Sequence, residues 1–324
     1  MSVTGARVSW LLWAGLLGGL CCTNGCERAA EAPEMAAQAP IHARTLRRQR
    51  DRARAAALTI RFSNSGIEPG SSALGHDRLQ VAAVFADVDR RDVHLLGDLV
   101  GITSRRPQVQ HEDTCVRQQG PFEPLAVRRH VVPHAYLQLL DVGNMSLSSG
   151  EHRLPLRITM VPSLFSAIRG VRYDGDVDHA RHLLAAGTLN LHATGGDGVA
   201  PFTAAVDVPR PVRLTHVGSR PVRGGRVRLP EEPGDLLLRW GSVDGSARLE
   251  VIIGAERGKG LDWLRCRLTD DGMFTVPVEA LFALPKRGKE QPWLISLVRS
   301  REGAVAGFPA TPLKLQLVDA VRAW

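Results

Sequence analysis

"LLLRWGSVDGSARLEVIIG", residues 236–254, decides the fold class. Leu236, Leu238 and Trp240 alternate with Leu237 and Arg239, and after a Gly/Ser/Asp break Leu249, Val251 and Ile253 alternate with Glu250 and Ile252. A period of two puts each set on one face of a β-strand. Asp244-Gly245 between the runs is the strongest short signal for a hairpin. No long segment has the 3.6-residue period of an amphipathic helix.

The pattern continues in both directions. Downstream, Leu264, Cys266 and Leu268 form another apolar face, "TDDGM" (269–273) supplies a second Asp-Gly turn, and strands are predicted over 274–276, 293–298 and 313–318. With Val227 and Leu229 this makes about seven strands, the number of an immunoglobulin-like sandwich. Upstream, strands are predicted over 58–62, 79–88, 93–102, 135–142, 153–160, 189–193 and 202–208, with one or two helical turns in "VDHARHLLAAG". Leu189, Leu191 and Ala193 alternate with polar neighbours, as on a half-buried strand. The fold class is therefore all-β, with two β-sandwich domains.

Composition agrees. The chain is 44% apolar but only 5% aromatic, with 32 Gly and 20 Pro, as in a soluble, turn-rich protein. Its 324 residues suit two modest domains. The formal charge of +8 is concentrated between Ile41 and Ala57, where six arginines face Asp51 alone. From Leu58 onward the chain is only mildly basic, so no nucleic-acid partner is expected.

The amino-terminal segment has a different character. Arg7 precedes an apolar stretch of thirteen residues, Val8 to Leu20, too short for a spanning helix of about 20 residues and suited to a signal-peptide core. Three cysteines follow in "LCCTNGCER". Cys26 has Gly25 before it, whereas Cys21 and Cys22 follow bulkier residues. The segment resembles the signal of bacterial lipoproteins, whose box ends at a cysteine that becomes diacylated. The resemblance implies cleavage before Cys26, leaving residues 1–25 as signal peptide and Cys26 as the lipidated first residue. Two or three acyl chains anchor stably where one does not, and Glu27 after the cysteine implies the outer membrane. Residues 26–57 then form an Ala/Pro/Arg-rich tether, its basic half a short helix. Arg44 to Arg54 are a candidate contact for anionic head groups, each basic residue contributing ~1 kcal/mol near a charged surface.

Two further stretches, 186–214 and 264–285, carry a Gly-Gly turn, a strand ending in proline, and the run Asp-Gly-Met-Phe-Thr-Val-Pro before a short helical turn. They are similar to β-sandwich modules of secreted, largely uncharacterised proteins of Gram-negative bacteria. That resemblance implies a boundary at the stiff "PRPV" (209–212), giving domains 58–209 and 210–324.

Familiar enzyme motifs are absent. "HEDTC" (111–115) lacks the second histidine of a zinc-protease helix. If extended, it puts His111 and Asp113 on one face with Cys115, and His130 and His134 follow after a loop as a candidate metal or Cys/His site. Asp174, Asp176 and Asp178 have calcium-loop spacing, but His179 and Ala185 stand where an EF-hand needs glycine and glutamate. No cofactor is expected, calcium at these three aspartates being the alternative to an acidic surface turn. Cys266, on an inward strand face, is expected to be a buried free thiol and not a partner of Cys115. Trp263 shares parity with Arg265 and Arg267 and is the outward aromatic that offers a sugar- or protein-binding platform. The expectation is a lipid-anchored, non-enzymatic binding or structural protein with an unspecified protein or glycan partner. The alternative is an envelope enzyme or carbohydrate-binding protein with a loop-assembled site in the first domain or at Trp263.

Overall fold

The computed structural model describes residues 52–63, 77–100, 111–118, 137–161, 168–229, 234–255, 263–282, 284–285 and 292–324. The fold is all-β. Strands β1 (Arg52–Ser63) and β2 (Arg78–Asp89) precede helix α1 (Val93–Leu99). There follow β3 (Thr114–Gln118), β4 (Leu137–Leu139), β5 (Met145–Ser149), β6 (His152–Pro155), β7 (Arg157–Val161), β8 (Ile168–Asp178), β9 (Thr188–Ala193) and β10 (Phe202–Asp207). The remainder supplies β11 (Arg213–Val217), β12 (Arg220–Pro221), β13 (Arg226–Val227), β14 (Leu236–Gly241), β15 (Arg248–Ala255), β16 (Trp263–Leu268) and β17 (Met273–Val276). Helix α2 (Val278–Leu281), β18 (Trp293–Val305) and β19 (Phe308–Ala323) complete the order.

One long sheet runs β3-β16-β15-β18-β19-β1-β2-β4-β8-β7, with β13 also pairing β19. Two four-stranded sheets, β10-β9-β5-β6 and β12-β11-β14-β17, cover it. The first core joins Leu58, Ile60, Val81 and Phe85 to Leu147, Leu191 and Val206. The second joins Val251, Ile253, Cys266 and Ile295 to Leu214, Leu238 and Trp240. Along β19, Leu313, Leu315 and Leu317 enter the first core and Val321 and Ala323 the second. These residues share parity, so both small sheets pack on the same face of the long one. The expected boundary at 209/210 falls between β10 and β11, yet strands from either side of it share the long sheet. There β3 pairs with β16, and β1 runs parallel to β19 with Leu58 opposite Leu313.

Four expectations are corrected. Strand β1 begins at Arg52, so Arg52 to Ala57 belong to the sheet and form neither tether nor helix. The strand expected over 93–102 is α1, whose Leu95 and Leu96 pack on Ala55, Ala57, Ala82 and Ala86. Those small residues, on the opposite faces of β1 and β2 from the first core, let a helix approach closely. The strand expected over 153–160 breaks at Leu156, β6 lying in a small sheet and β7 at the edge of the long one. Finally, neither Asp-Gly turn makes a hairpin. β14 and β17 belong to a small sheet and β15 and β16 to the long one, so both turns arch from sheet to sheet.

The arches converge on Arg299 of β18, which is wholly buried. Its Nη1 donates to the Arg210 carbonyl at 2.6 Å, and its Nη2 donates to the Ser242 carbonyl at 2.8 Å and to Asp270 at 2.9 Å. Asp270 also accepts from Trp240 Nε1 at 2.8 Å and from the Asp244 N–H at 3.0 Å. Asp244 in turn accepts the Arg210 N–H at 2.8 Å. One guanidinium thus ties together the 209–212 connection and both turns.

Candidate functional site

Cys26, Arg44, Arg47, Arg48, Arg50, His130 and His134 lie outside the described residues. Arg54, the last of the basic run, sits on β1, 3.7 Å from the Asp87 carboxylate and donating to the Gly198 carbonyl at 3.1 Å. The structure does not extend residues 111–113. They form a turn in which Asp113 adopts a left-handed φ of 56° and accepts from Thr269 N and Oγ1 at 2.9 and 2.8 Å. His111 contributes its carbonyl to Thr114 Oγ1 at 2.7 Å. Asp113 therefore pins the turn after β16.

Asp174, Asp176 and Asp178 lie along β8 and not around a turn. Asp174 is paired with Arg172 at 2.6 Å and Asp176 with Arg78. Among the described residues no group of three or more His, Cys, Asp or Glu is placed to hold a metal ion. The free-thiol expectation is overturned: Cys115 and Cys266 face one another across the β3–β16 pair and form a disulfide. Although Cys115 precedes the expected boundary at 209/210, β3 adds to the sheet edge beside β16 and brings the two thiols together.

Trp263 is also corrected. It points away from Cys266 as its parity requires, but it is 2% exposed and packs with Ile252, Leu294, Val298 and Val318. The long sheet is covered on this face too, so opposite parity does not mean exposure, and Trp263 offers no binding platform.

Strand pairing creates a serine–histidine contact that no sequence spacing signals. Ser148 Oγ lies 3.0 Å from His192 Nε2, and His192 Nδ1 lies 3.1 Å from Thr203 Oγ1. Hydrolytic use of such a pair needs an acid behind the imidazole and donors for an oxyanion. Here the third group is a neutral hydroxyl, and the three residues sit on adjacent strands β5, β9 and β10. The arrangement is a cross-strand polar ladder that stabilises the sheet.

The arrangement best suited to a ligand lies where the second sandwich passes from its small sheet to the long one, in "RPVRGGRVRL" (220–229). Gly224 and Gly225 have φ of 54° and 69°, the sign that a type I′ turn needs at both central positions and that side chains with a Cβ resist. The turn is closed by Arg223 and Arg226, each donating its N–H to the other's carbonyl at 3.0 Å. Residues paired directly in this way project to the same face, so two arginines are set side by side. Arg228 follows Arg226 at strand spacing, while Val227 between them is buried. The Arg322 N–H donates to the Gly225 carbonyl at 2.9 Å, and the Leu229 N–H donates to the Trp324 carbonyl at 2.9 Å.

The result is an open cleft of about 480 Å³ lined by Arg220, Pro221, Arg223, Arg226, Arg228 and Trp324, with Val227 beneath. All four arginines are exposed and Trp324 is half-buried. Among the described residues, none of the four guanidinium groups has a hydrogen-bond or carboxylate partner. Elsewhere arginines find acids: Arg78 with Asp176, Arg181 with Asp77, Arg265 with Glu250, and Arg301 with Asp207 and Asp244. A sequence signal existed, since a Gly-Gly pair flanked by arginines places those arginines opposite one another once the turn type is recognised.

No family model matches the chain, and no curated protein matches it. Among solved structures, the yeast delta-COP-I mu-homology domain is similar at a TM-score of 0.24 and 9% identity, covering 84% of this chain and 95% of that one. The yeast delta-COP-I mu-homology domain complexed with Dsl1 WxWxV peptide is similar at a TM-score of 0.23 and 10% identity, with the same coverage. Likeness at this level is too slight to carry an argument about fold or function.

Proposed function

We propose that the protein is exported, anchored at the outer membrane by acyl chains on Cys26, and acts there as a non-enzymatic binding or structural module of two immunoglobulin-like sandwiches. The observation that carries this reading is the Cys115–Cys266 disulfide. Disulfides persist in oxidising compartments and are rare in reducing ones, which agrees with the signal-like residues 1–25. The non-enzymatic part draws support from Asp113, committed to Thr269, and from His192, whose ring nitrogens face the Ser148 and Thr203 hydroxyls.

The test is thiol trapping in intact cells. Denatured protein, alkylated with a mass-tagged maleimide before any reductant, is expected to carry no tag on Cys115 or Cys266. A variant lacking residues 1–26 is expected to be tagged on both. Tagging of both thiols in the unaltered protein would contradict export.

A further inference from the structure

We infer that the cleft formed by Arg220, Arg223, Arg226, Arg228 and Trp324 binds a phosphate ester, the anion lying between the Arg223 and Arg226 guanidinium groups and the organic part against the indole. The inference rests on the proposed binding role and deepens it by naming the ligand chemistry.

Geometry carries the argument. Like charges set directly opposite in a β pair are destabilising, and here the turn imposes that opposition on Arg223 and Arg226. Arg220 and Arg228 line the same cleft and add to the repulsion. No carboxylate relieves it among the described residues, although acids relieve Arg78, Arg172, Arg181, Arg265 and Arg299. A guanidinium is planar and donates in a fork that matches the oxygens of phosphate, so two side by side suit a single phosphoryl group. The cleft is not uniformly polar: Pro221, Val227 and Trp324 line it with the arginines. An aromatic face beside fixed charges suits an amphipathic ligand better than a bare ion. Two sources share this chemistry, a soluble sugar phosphate and the head group of an anionic lipid.

The test is calorimetric titration of the mature chain, purified from cells in a non-ionic detergent. The probes are glucose 1-phosphate, glucose, dihexanoyl phosphatidylglycerol and dihexanoyl phosphatidylcholine. Binding of glucose 1-phosphate but not glucose supports a soluble ester. Binding of the phosphatidylglycerol alone supports a lipid head group. In either case Arg223→Ser/Arg226→Ser is expected to weaken binding at least tenfold and added salt to weaken it progressively. Arg239→Ser, at an exposed position outside the cleft, is expected to leave it unchanged. Absence of binding by both anionic probes, glucose 1-phosphate and the phosphatidylglycerol, or binding that survives the double substitution, would overturn the inference. A failed titration with an acylated Cys26 removes only the cleft; an unmodified amino terminus with a successful titration removes only the anchor.

Discussion

Arg299 and Asp319 are both buried, and their predicted behaviours are opposite. Arg299 satisfies Asp270 and two carbonyls in a site closed to water. Removing one partner of such a pair leaves a buried charge uncompensated, typically at about 3–5 kcal/mol. Arg299→Ala is therefore predicted to lower the unfolding free energy by ~3–5 kcal/mol in urea titration, and a loss below about 1 kcal/mol would contradict the keystone role. Among the described residues Asp319 faces no such partner. Burial pushes its carboxyl up to about 6, and the Leu214 N–H and nearby Arg213 offset this only in part. The folded pKa thus exceeds the ordinary 3.8, so the native state keeps a proton that the unfolded chain releases. Stability is expected to fall between pH 4 and 6 and to stay at the lower level above. Asp319→Asn keeps an acceptor for Leu214 without the charge. It is predicted to gain roughly 3 kcal/mol at pH 7 and to lose that slope; an unchanged slope would contradict the assignment.

At the scale of elements, alternation was a sound guide wherever one strand face meets a core. Leu189, Leu191 and Ala193, and likewise Leu236, Leu238 and Trp240, are buried as their parity required. It failed where a different physical constraint decided. Leu95 and Leu96 belong to a helix because the alanines of β1 and β2 leave room for one. The carboxylates of Asp174 and Asp176 tolerate a strand because Arg172 and Arg78 neutralise them. Asp-Gly marked true turns at 244–245 and 271–272 but not which sheets they join, a matter of long-range pairing. The disulfide was hidden for the same reason, since it depends on β3 reaching β16. It closes a loop of 151 residues, for which chain-entropy reasoning gives roughly 5 kcal/mol as an upper figure. Cys115→Ser/Cys266→Ser is predicted to cost ~2–5 kcal/mol in urea unfolding, and reduction of the unaltered protein is expected to match it. No change in midpoint on reduction would contradict a stabilising bridge.

In the molecule as a whole, one long sheet carries two small sheets on one face and α1 on the other. Parity misplaced Trp263 because the outward face of the long sheet is itself buried at β15, β16, β18 and β19, where Ile252, Leu294, Val298 and Val318 surround the indole. The arginine cleft was equally invisible to composition, because its content matches an arginine-rich chain and only the pairing of Arg223 with Arg226 sets it apart. The disulfide, the arginine cleft and the signal-like amino terminus together support the proposal of a protein held at the envelope to bind a ligand. The measurement that tests this most directly is the intact mass and amino-terminal peptide of the mature protein from cells, with and without Cys26→Ala. The account predicts a chain beginning at Cys26 and carrying acyl chains, with the acyl mass lost in the variant. An unmodified amino terminus downstream of Cys26 would contradict it.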